Sequence, residues 1–316
     1  PRSTPLYSSA ASDVYKRQIY EMSFLFQEHP AMLIFKQMRI VASFLIFNLC
    51  SVYAEPIREG SVEVELVNSV SCVAPGDTVD IALRIKHNTG WHTYWKSPGI
   101  VGVPTGIDWK LPEHIEISDI KWPQPKNVKM GPYNAYGYTG EIFLIMKLKV
   151  SEKASSDSDH LLKARASWMC CSKTCQPGYA DLTLPLSISN QKKQLTKWSP
   201  LIEKSKETFA IPLEGYKTEA IKAGKRLVLN LTPIDKKQIK FTKSLQFFSA
   251  DGLIHSDEKQ IVKRLKNGAI QFDMFISEFG PKDQETLEGI LYTKKGYDEN
   301  SKIKPYRVKA PIKRKS

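Results

Sequence analysis

The chain has 316 residues and a formal net charge of +13 at pH 7. Its excess of lysine and arginine is spread along the second half and is not interleaved with aromatic side chains in a stacking pattern. This distribution argues against nucleic acid as a partner and favours solvated basic faces, with a mild attraction to anionic lipid or to an acidic partner as the alternative.

The N-terminal segment is not expected to belong to the folded protein. Residues 1–18 end in DVYKRQ, which back-translates to the transposon end used to fragment DNA for sequencing. We interpret them as a sequencing-adapter artefact, with a genuine polar tail as the alternative. Residues 19–54 hold upstream residues and a signal peptide with the apolar run Ile40–Cys50. We expect cleavage after Ala54 and export, because this run is shorter than the roughly 20 apolar residues that a membrane helix needs. An uncleaved anchor is the alternative.

Residues 55–190 are predicted to form a first β domain. The segments SVEVELV and TVDIALRIK alternate apolar and polar residues, which predicts strands. In the second of them, Val79, Ile81, Leu83 and Ile85 would lie on one face. EIFLIMKLKV, LLKARASWM and ADLTLPLSI indicate further strands. Residues 90–138 lack regular periodicity, and we expect long ordered loops with short strands there. Many short strands that are separated by clusters of Pro, Gly and Asn favour a β-sandwich.

A linker helix is predicted within residues 191–210. Ser199 can cap it and Pro200 can occupy its first position, and an apolar face follows at Leu201, Ile202 and Phe209. The segments KRLVLNLTPI, KSLQFFSA, AIQFDMFIS and TLEGILYTK then predict strands of a second β domain over residues 211–316.

The segment SWMCCSKTCQPG holds three of the five cysteines within six positions. If Cys171 and Cys175 lay on a straight strand, their Cα atoms would be roughly 13 Å apart. A disulfide needs Cα atoms roughly 4.4–6.8 Å apart, so pairing requires a turn, which a three-residue hairpin loop would supply. A bridge over so short a loop removes little entropy from the unfolded chain. Because such a disulfide would stabilise the fold only a little, we favour a redox role for the pair.

The neighbouring residues qualify this interpretation. Lys173 lies inside the loop, and a nearby ammonium favours the thiolate, which is the species that attacks a disulfide. Cys170 would face the opposite side of a strand from Cys171, which favours a buried apolar role. Cys72 has the same interpretation, and a buried Cys72–Cys170 disulfide is the alternative.

A metal site is the other chemical possibility for the cysteines. Four thiolates would suit Cu(I) better than zinc, because thiolates are soft ligands. The chain has no second cysteine knuckle of the kind that structural zinc sites use, and His87 and His92 are distant in sequence. We therefore predict no metal and no cofactor.

Several motifs resemble the N-terminal periplasmic domain of the thiol:disulfide interchange protein DsbD, most closely its ScsB-type branch. In order they are PGDTVDIALRIKHNTGWHTYWKSPGIVGVPTGIDWKLPE, IKWPQP, YNAYGYTGEIFL and SWMCCSKTCQPGYADLTLPL. The resemblance covers residues 61–188, and LQFFSADGLIHS at 245–256 more weakly resembles the second β domain of ScsB-type proteins. It implies an all-β chain, with an immunoglobulin-like β-sandwich followed by the linker helix and a second β-sandwich-like domain.

The resemblance also implies the roles of individual residues. Cys171 and Cys175 would cycle between dithiol and disulfide, with Cys175 forming the mixed disulfide with partners. A cap loop would shield the pair between encounters, and Tyr136 would be the shielding ring. The residues that match this loop are Asn134, Ala135, Tyr136 and Gly137.

Three departures from the family pattern bear on these roles. Cys170 stands where the family usually has an apolar residue, and Ser172-Lys173-Thr174 replaces the common Lys-Asp-Ile. The sequence ends at Ser316 without a multi-helix membrane domain or a thioredoxin domain. A stand-alone module and a truncated sequence are both compatible with this ending. The basic tail favours a natural end.

The function expected from the resemblance is that of a periplasmic protein-disulfide reductase component. Electrons would come from a DsbD- or CcdA-like membrane thiol reductant and pass to thioredoxin-like periplasmic proteins, without nucleic acid and without stable membrane insertion. The alternatives are a copper-binding or protein-interaction β-sandwich and a paralogue with an inert structural disulfide.

Overall fold

A computed structural model describes residues 55–234, 244–293 and 305–314. All described residues lie in one compact unit. The adapter and signal-peptide predictions therefore concern residues outside the described ranges. Within those ranges, no helix has both the length and the apolar character required to span a membrane.

The N-terminal half of the described chain is built from short and long β-strands. In chain order these are β1 (Ile57–Glu59), β2 (Val62–Asn68), β3 (Thr78–His87), β4 (Thr93–Tyr94), β5 (Gly106–Lys110), β6 (Ile115–Ile117), β7 (Lys126–Met130), β8 (Tyr133–Tyr138), β9 (Glu141–Val150), β10 (Ser158–Cys171) and β11 (Cys175–Ile188). They form a β-sandwich, called the N-terminal sandwich below, and the short strands β4 to β8 lie in the region predicted to hold short strands.

The sheets of the N-terminal sandwich enclose one apolar core. One sheet has the strand order β1-β2-β3-β9-β6, and a second has the order β11-β10-β5. Leu83 of the first sheet and Trp168 and Leu184 of the second are buried in the same cluster. The predicted face of β3 is confirmed, since Val79, Ile81, Leu83 and Ile85 all belong to this core.

The outer face of the first sheet is covered by helix α1 (Ser199–Lys206). Ile202 is fully buried there in a cluster with Val67 of β2. Lys206 Nζ lies 2.6 Å from Asp80 Oδ2 of β3. The predicted linker helix is therefore present, and it packs on the sandwich along one side.

The start of α1 differs from the prediction that Ser199 caps it. Trp198 occupies the cap position without a side-chain capping hydrogen bond, and Ser199 is already helical. The Trp198 N–H donates to the Thr196 hydroxyl at 3.2 Å, and the Ser199 N–H donates to the Thr196 carbonyl at 3.1 Å. Thr196, three residues before the predicted cap, therefore accepts the hydrogen bonds of the first N–H groups at the start of the helix.

The C-terminal half is again β-structure, as predicted. Its strands are β12 (Ile211–Pro212), β13 (Tyr216–Ala223), β14 (Arg226–Pro233), β15 (Leu245–Ser249), β16 (Ile261–Arg264), β17 (Ile270–Phe275), β18 (Thr286–Thr293) and β19 (Tyr306–Arg314). They form the C-terminal sheet, in the order β15-β18-β19-β13-β14-β17-β16 with β12 beside β19. Its core includes the buried residues Leu229, Phe247, Phe272 and Leu291.

Some side chains of the C-terminal sheet extend the core of the N-terminal sandwich. Phe248 of β15 and Ile290 and Tyr292 of β18 belong to the sandwich cluster and not to the core of their own sheet. The two halves are thus joined by apolar packing as well as by α1. The domain boundaries predicted at residues 190 and 210 stay predictions.

Candidate redox site

The cysteine pair lies at the tip of the long hairpin made by β10 and β11. Cys171 pairs with Cys175 as the last step of this antiparallel register, and residues 172–174 make the turn. The Ser172 N–H donates to the Thr174 carbonyl at 2.9 Å within it. A disulfide joins Cys171 and Cys175, whose Cα atoms are 4.1 Å apart. The hairpin therefore supplies the turn that the spacing of the cysteines required.

The two half-cystines differ in their exposure to solvent. Cys171 is 0% exposed, whereas Cys175 is exposed together with Gln176 and Pro177. The Cys171 backbone is held by His92, which pairs with it through hydrogen bonds of 3.0 and 2.9 Å. An incoming sulfur therefore meets Cys175 first.

A small apolar cluster covers Cys171. Its other buried members are Tyr94 of β4, Val128 of β7 and Ala135 of β8. Strands β7 and β8 form an antiparallel hairpin, called the cap hairpin below, and β8 also pairs with β4. The predicted cap loop is therefore a strand of this hairpin.

Gly137 allows the cap hairpin to approach β4 closely. It pairs with Tyr94, and a Cβ atom added at this position would lie 2.2 Å from the Thr93 carbonyl oxygen. Any larger residue would push β8 away from β4, and the cover over Cys171 would move with it.

Tyr136 does not have the shielding position that was expected. Successive side chains of a strand point to opposite faces, so Tyr136 faces away from the side on which Ala135 meets Cys171. Its buried ring stacks on Phe248 with centroids 4.0 Å apart and meets Trp95 edge-on at 6.3 Å. The cover over Cys171 is aliphatic on the hairpin side, and Tyr94 supplies its aromatic ring.

His92 is the residue near the disulfide that sequence reasoning missed. Its Nε2 atom lies 3.3 Å from the Tyr94 hydroxyl. Burial, assisted by the nearby His87, lowers the pKa of His92 to about 4, and burial likewise raises the pKa of Tyr94 to about 12. Both groups are therefore neutral at pH 7, and neither supplies a charge to Cys171. The segment GWHTYW, in which His92 stands two residues before Tyr94, was the one sequence feature that could have drawn attention to His92.

Cys170 lies beside the disulfide in sequence but belongs to a different environment. It is buried in the sandwich core, whereas Cys171 lies in the cluster under the cap hairpin, as strand alternation predicted. Burial raises the pKa of the Cys170 thiol to about 11. Cys170 is therefore a neutral thiol at pH 7 and a poor nucleophile.

The Cys72–Cys170 bridge is not formed. Both residues are free cysteines. Val73 bridges to Ile188 at one end of β11, whereas Cys170 pairs with Gln176 near its other end. A strand of this length separates the two sites by roughly 40 Å at about 3.3 Å per residue. The same separation prevents Cys72 from joining the clustered cysteines in a four-thiolate site.

Two further findings concern the expected roles of charged and metal-binding residues. Lys173 is exposed in the turn between the two half-cystines, and its effect on the thiolate stays a prediction. Among the residues that the structure describes, no three or more His, Cys, Asp or Glu side chains are grouped so that they could hold a metal ion.

Comparison with known proteins finds a family that matches the region in which this site lies. The model of the family "Thiol:disulfide interchange protein DsbD, N-terminal" matches residues 62–187. The N-terminal periplasmic domain of ScsB from Proteus mirabilis has the same fold, with a TM-score of 0.59 at 16% sequence identity over 81% of this chain and 96% of that chain. A search of curated proteins found no match.

A second solved structure, a bacterial pilin, is much less similar to this chain in fold. BcpA, the major pilin subunit of Bacillus cereus, gives a TM-score of 0.25 at 12% identity over 82% of this chain and 69% of that chain. The residues that the family model matches include the N-terminal sandwich strands from β2 to β10 and both half-cystines. Residues 62–187 of this chain therefore match the DsbD N-terminal family.

Proposed function

We propose that this protein is a periplasmic thiol–disulfide exchange module that carries electrons from a membrane thiol reductant to oxidised periplasmic proteins. The observation that carries the proposal is the unequal exposure of the disulfide-bonded pair, with Cys171 buried and Cys175 exposed, in a region that matches the DsbD N-terminal family. A purely structural bridge has no need of one exposed sulfur at the tip of a hairpin.

The first half of the cycle reduces the disulfide. A thiolate of the membrane reductant attacks the sulfur of Cys175, a new S–S bond forms between them, and the Cys171–Cys175 bond breaks with its electron pair on Cys171. A second thiolate of the reductant then attacks the mixed disulfide and releases Cys175. The reductant leaves as a disulfide, and the module has gained two electrons and, at neutral pH, two protons.

The second half returns these electrons to a substrate. The Cys175 thiolate attacks one sulfur of an oxidised partner, and the partner's other sulfur leaves as a thiolate. Cys171 then attacks Cys175 in the mixed disulfide, which restores the Cys171–Cys175 bond and frees the reduced partner. Cys171 needs no access to the partner for this step, which agrees with its burial.

The surface next to Cys175 supports docking of a protein partner. Pro177 and Tyr179 lie at alternate positions of β11 after Cys175 and are exposed on the same face. The guanidinium of Arg165 lies over the Tyr179 ring, 5.6 Å from its centroid. An exposed ring that is held in place loses little conformational entropy when a partner covers it.

Trapping of mixed disulfides tests the proposal. The Cys171→Ser protein is expected to form a stable mixed disulfide with an oxidised thioredoxin-like periplasmic protein, and the Cys175→Ser protein is expected to form none. Cys170→Ser is the matched control and should behave as the unaltered protein. Reduction of the partner at the normal rate by Cys175→Ser would overturn the assignment of the attacking sulfur.

Two further measurements separate the alternatives. A reduction potential below about −300 mV would identify an inert structural disulfide. Stoichiometric Cu(I) after anaerobic purification, without a reversible change of two thiols, would identify a binding module.

A further inference from the structure

The cap hairpin is hydrogen-bonded to the segment that connects β15 and β16 of the C-terminal sheet. The carboxylate of Asp257 accepts a hydrogen bond of 2.9 Å from the Asn134 backbone N–H and one of 2.7 Å from the Asn134 side-chain amide. The Ser256 hydroxyl donates to the Asn134 carbonyl at 2.9 Å and accepts from the Ile100 N–H at 3.1 Å. The segment that contains Ser256 and Asp257 thus hydrogen-bonds the backbone of β8 at Asn134, beyond the two residues that pair with β4, as a neighbouring strand would.

Apolar and polar contacts extend this grip along the hairpin. The ring of Tyr136 stacks on Phe248, and Phe248 stacks on Tyr292 with centroids 4.6 Å apart. On the other strand of the hairpin, the Asn127 side-chain amide donates to Gln246 Oε1 at 2.9 Å. Both strands of the cap hairpin are therefore attached to the C-terminal sheet.

The same strand carries the cover of the buried half-cystine. Asn134 and Tyr136 contact the C-terminal sheet, whereas the intervening Ala135 packs with Cys171. Because alternate residues of one strand make both sets of contacts, β8 cannot lift from Cys171 while its outer contacts hold.

We propose that Asp257 and Ser256 are positioning residues, which hold the cap hairpin closed over Cys171 and thereby slow thiol attack on the Cys171–Cys175 disulfide. The C-terminal sheet is then a latch for the redox site, and a partner that displaces the segment at Ser256 and Asp257 speeds the exchange. This inference rests on the proposed function, since it assigns a control to the exchange reaction.

The chemistry explains how a cover over Cys171 slows attack on the exposed Cys175. An incoming thiolate bonds to Cys175, and the electron pair of the broken S–S bond moves to Cys171. The leaving thiolate then lies among Tyr94, Val128 and Ala135, where burial in apolar surroundings disfavours its charge. When the hairpin lifts, water can reach this sulfur and stabilise the charge. The rate of exchange therefore follows the fraction of molecules in which the hairpin is open.

The test is the rate at which dithiothreitol reduces the disulfide in variants of the full protein. Asp257→Ala removes the acceptor of two hydrogen bonds and is expected to raise the rate about tenfold, which corresponds to about 1.4 kcal/mol. Asp257→Asn keeps an acceptor oxygen and should restore most of the slow rate. Glu258→Gln alters the neighbouring exposed carboxylate and is the matched control, with no change expected.

Two readouts distinguish a latch from a general loss of stability. The Tyr136 N–H donates to the Pro98 carbonyl at 2.9 Å, so its hydrogen exchange reports opening of the hairpin without a direct bond to Asp257. Exchange at Tyr136 should accelerate in Asp257→Ala, and the free energy of unfolding in urea should fall by a similar amount, because the lost hydrogen bonds stabilise the closed native state. Leu162→Ala lowers the free energy of unfolding from the sandwich core far from the cap hairpin, and it should leave both Tyr136 exchange and the dithiothreitol rate unchanged. Asn127→Ala removes the hydrogen bond to Gln246 and should likewise accelerate both Tyr136 hydrogen exchange and reduction by dithiothreitol.

The outcomes separate the latch from the function on which it rests. If dithiothreitol reduces every variant at the rate of the unaltered protein, the latch is wrong while the exchange activity stands. Acceleration of dithiothreitol reduction by the remote variant Leu162→Ala to the same extent as by Asp257→Ala would also overturn the latch. If the disulfide of the unaltered protein resists dithiothreitol and all partners, the proposed function itself is wrong.

Discussion

His92 and Cys171 pair through two backbone hydrogen bonds, from the His92 N–H to the Cys171 carbonyl and from the Cys171 N–H to the His92 carbonyl. This bridge attaches the buried half-cystine to the segment that enters β4, to which the cap hairpin also pairs. Cys171 is therefore fixed by its backbone and covered by its neighbours, while Cys175 stands on the solvent side of the turn. The division of roles between the two sulfurs follows from this bridge.

The buried imidazole of His92 predicts a loss of stability in acid. Burial lowers its folded-state pKa to about 4 from an ordinary value of 6.5. The unfolded state therefore binds the proton more tightly, and the stability that neutral His92 contributes is present above pH 6.5 and is lost as the pH falls toward 4. The free energy of unfolding, measured by urea titration across this window, should fall less steeply in His92→Phe. A slope in His92→Phe equal to that of the unaltered protein would contradict the prediction.

The buried thiol of Cys170 predicts the opposite dependence in alkali. Burial raises its folded-state pKa to about 11 from an ordinary value of 9.0. The folded state holds this proton more tightly, so the contribution to stability is complete below pH 9 and is lost as the pH rises through 11. Cys170→Ala should therefore show a shallower loss of unfolding free energy between these limits.

Labelling of the reduced protein with iodoacetamide at pH 8 gives a second check on Cys170. Cys175 should react first because it is exposed, and Cys170 should react only on unfolding. Cys72, which is free and partly exposed, provides the internal comparison. Labelling of Cys170 as fast as Cys72 would contradict its placement in the core.

The close approach at Gly137 predicts that Gly137→Ala uncovers Cys171. The added methyl group would lie 2.2 Å from the Thr93 carbonyl oxygen, so β8 must move away from β4. Overpacking of this kind costs about 1–3 kcal/mol of unfolding free energy. Alkylation of Cys171 in the reduced protein should accelerate in parallel. Gly106→Ala, where the nearest atom is the Ser167 hydroxyl at 3.0 Å, is the milder control and should leave the alkylation rate unchanged.

The hairpin and its disulfide were within reach of sequence reasoning. The spacing of Cys171 and Cys175 required a turn, and the alternation of apolar residues on both sides required strands, so local geometry sufficed. The opposite environments of Cys170 and Cys171 also followed from alternation. These features depend on residues that are close together in the chain.

The cover of the site depended on contacts that no local pattern encodes. Tyr136 was expected to shield the pair, but strand β8 turns its ring toward Phe248, which lies more than a hundred residues later in the chain. His92 was set aside because of its distance in sequence from the cysteines, yet it is their backbone neighbour. Such pairings are fixed by sheet topology, which alternating patterns do not specify.

The exposed ring of Tyr179 predicts a specific loss in the reaction with a protein partner. Tyr179 is 59% exposed on the Cys175 side of β11, so its replacement by alanine should leave the fold and the unfolding free energy nearly unchanged. An aromatic anchor at an interface is often worth more than 1 kcal/mol, so Tyr179→Ala should slow exchange with a thioredoxin-like protein about tenfold. Dithiothreitol needs no docking surface, and its rate should not change.

Leu161 provides the matched control for this prediction. It is 52% exposed and pairs with Pro185, near the end of the hairpin opposite the disulfide. Leu161→Ala should therefore react normally with both reagents. Equal slowing of dithiothreitol and protein in Tyr179→Ala would mean that the ring acts on the disulfide itself. Equal slowing of the protein reaction by both variants would mean that partners dock along the whole hairpin, and not on the face that presents Cys175.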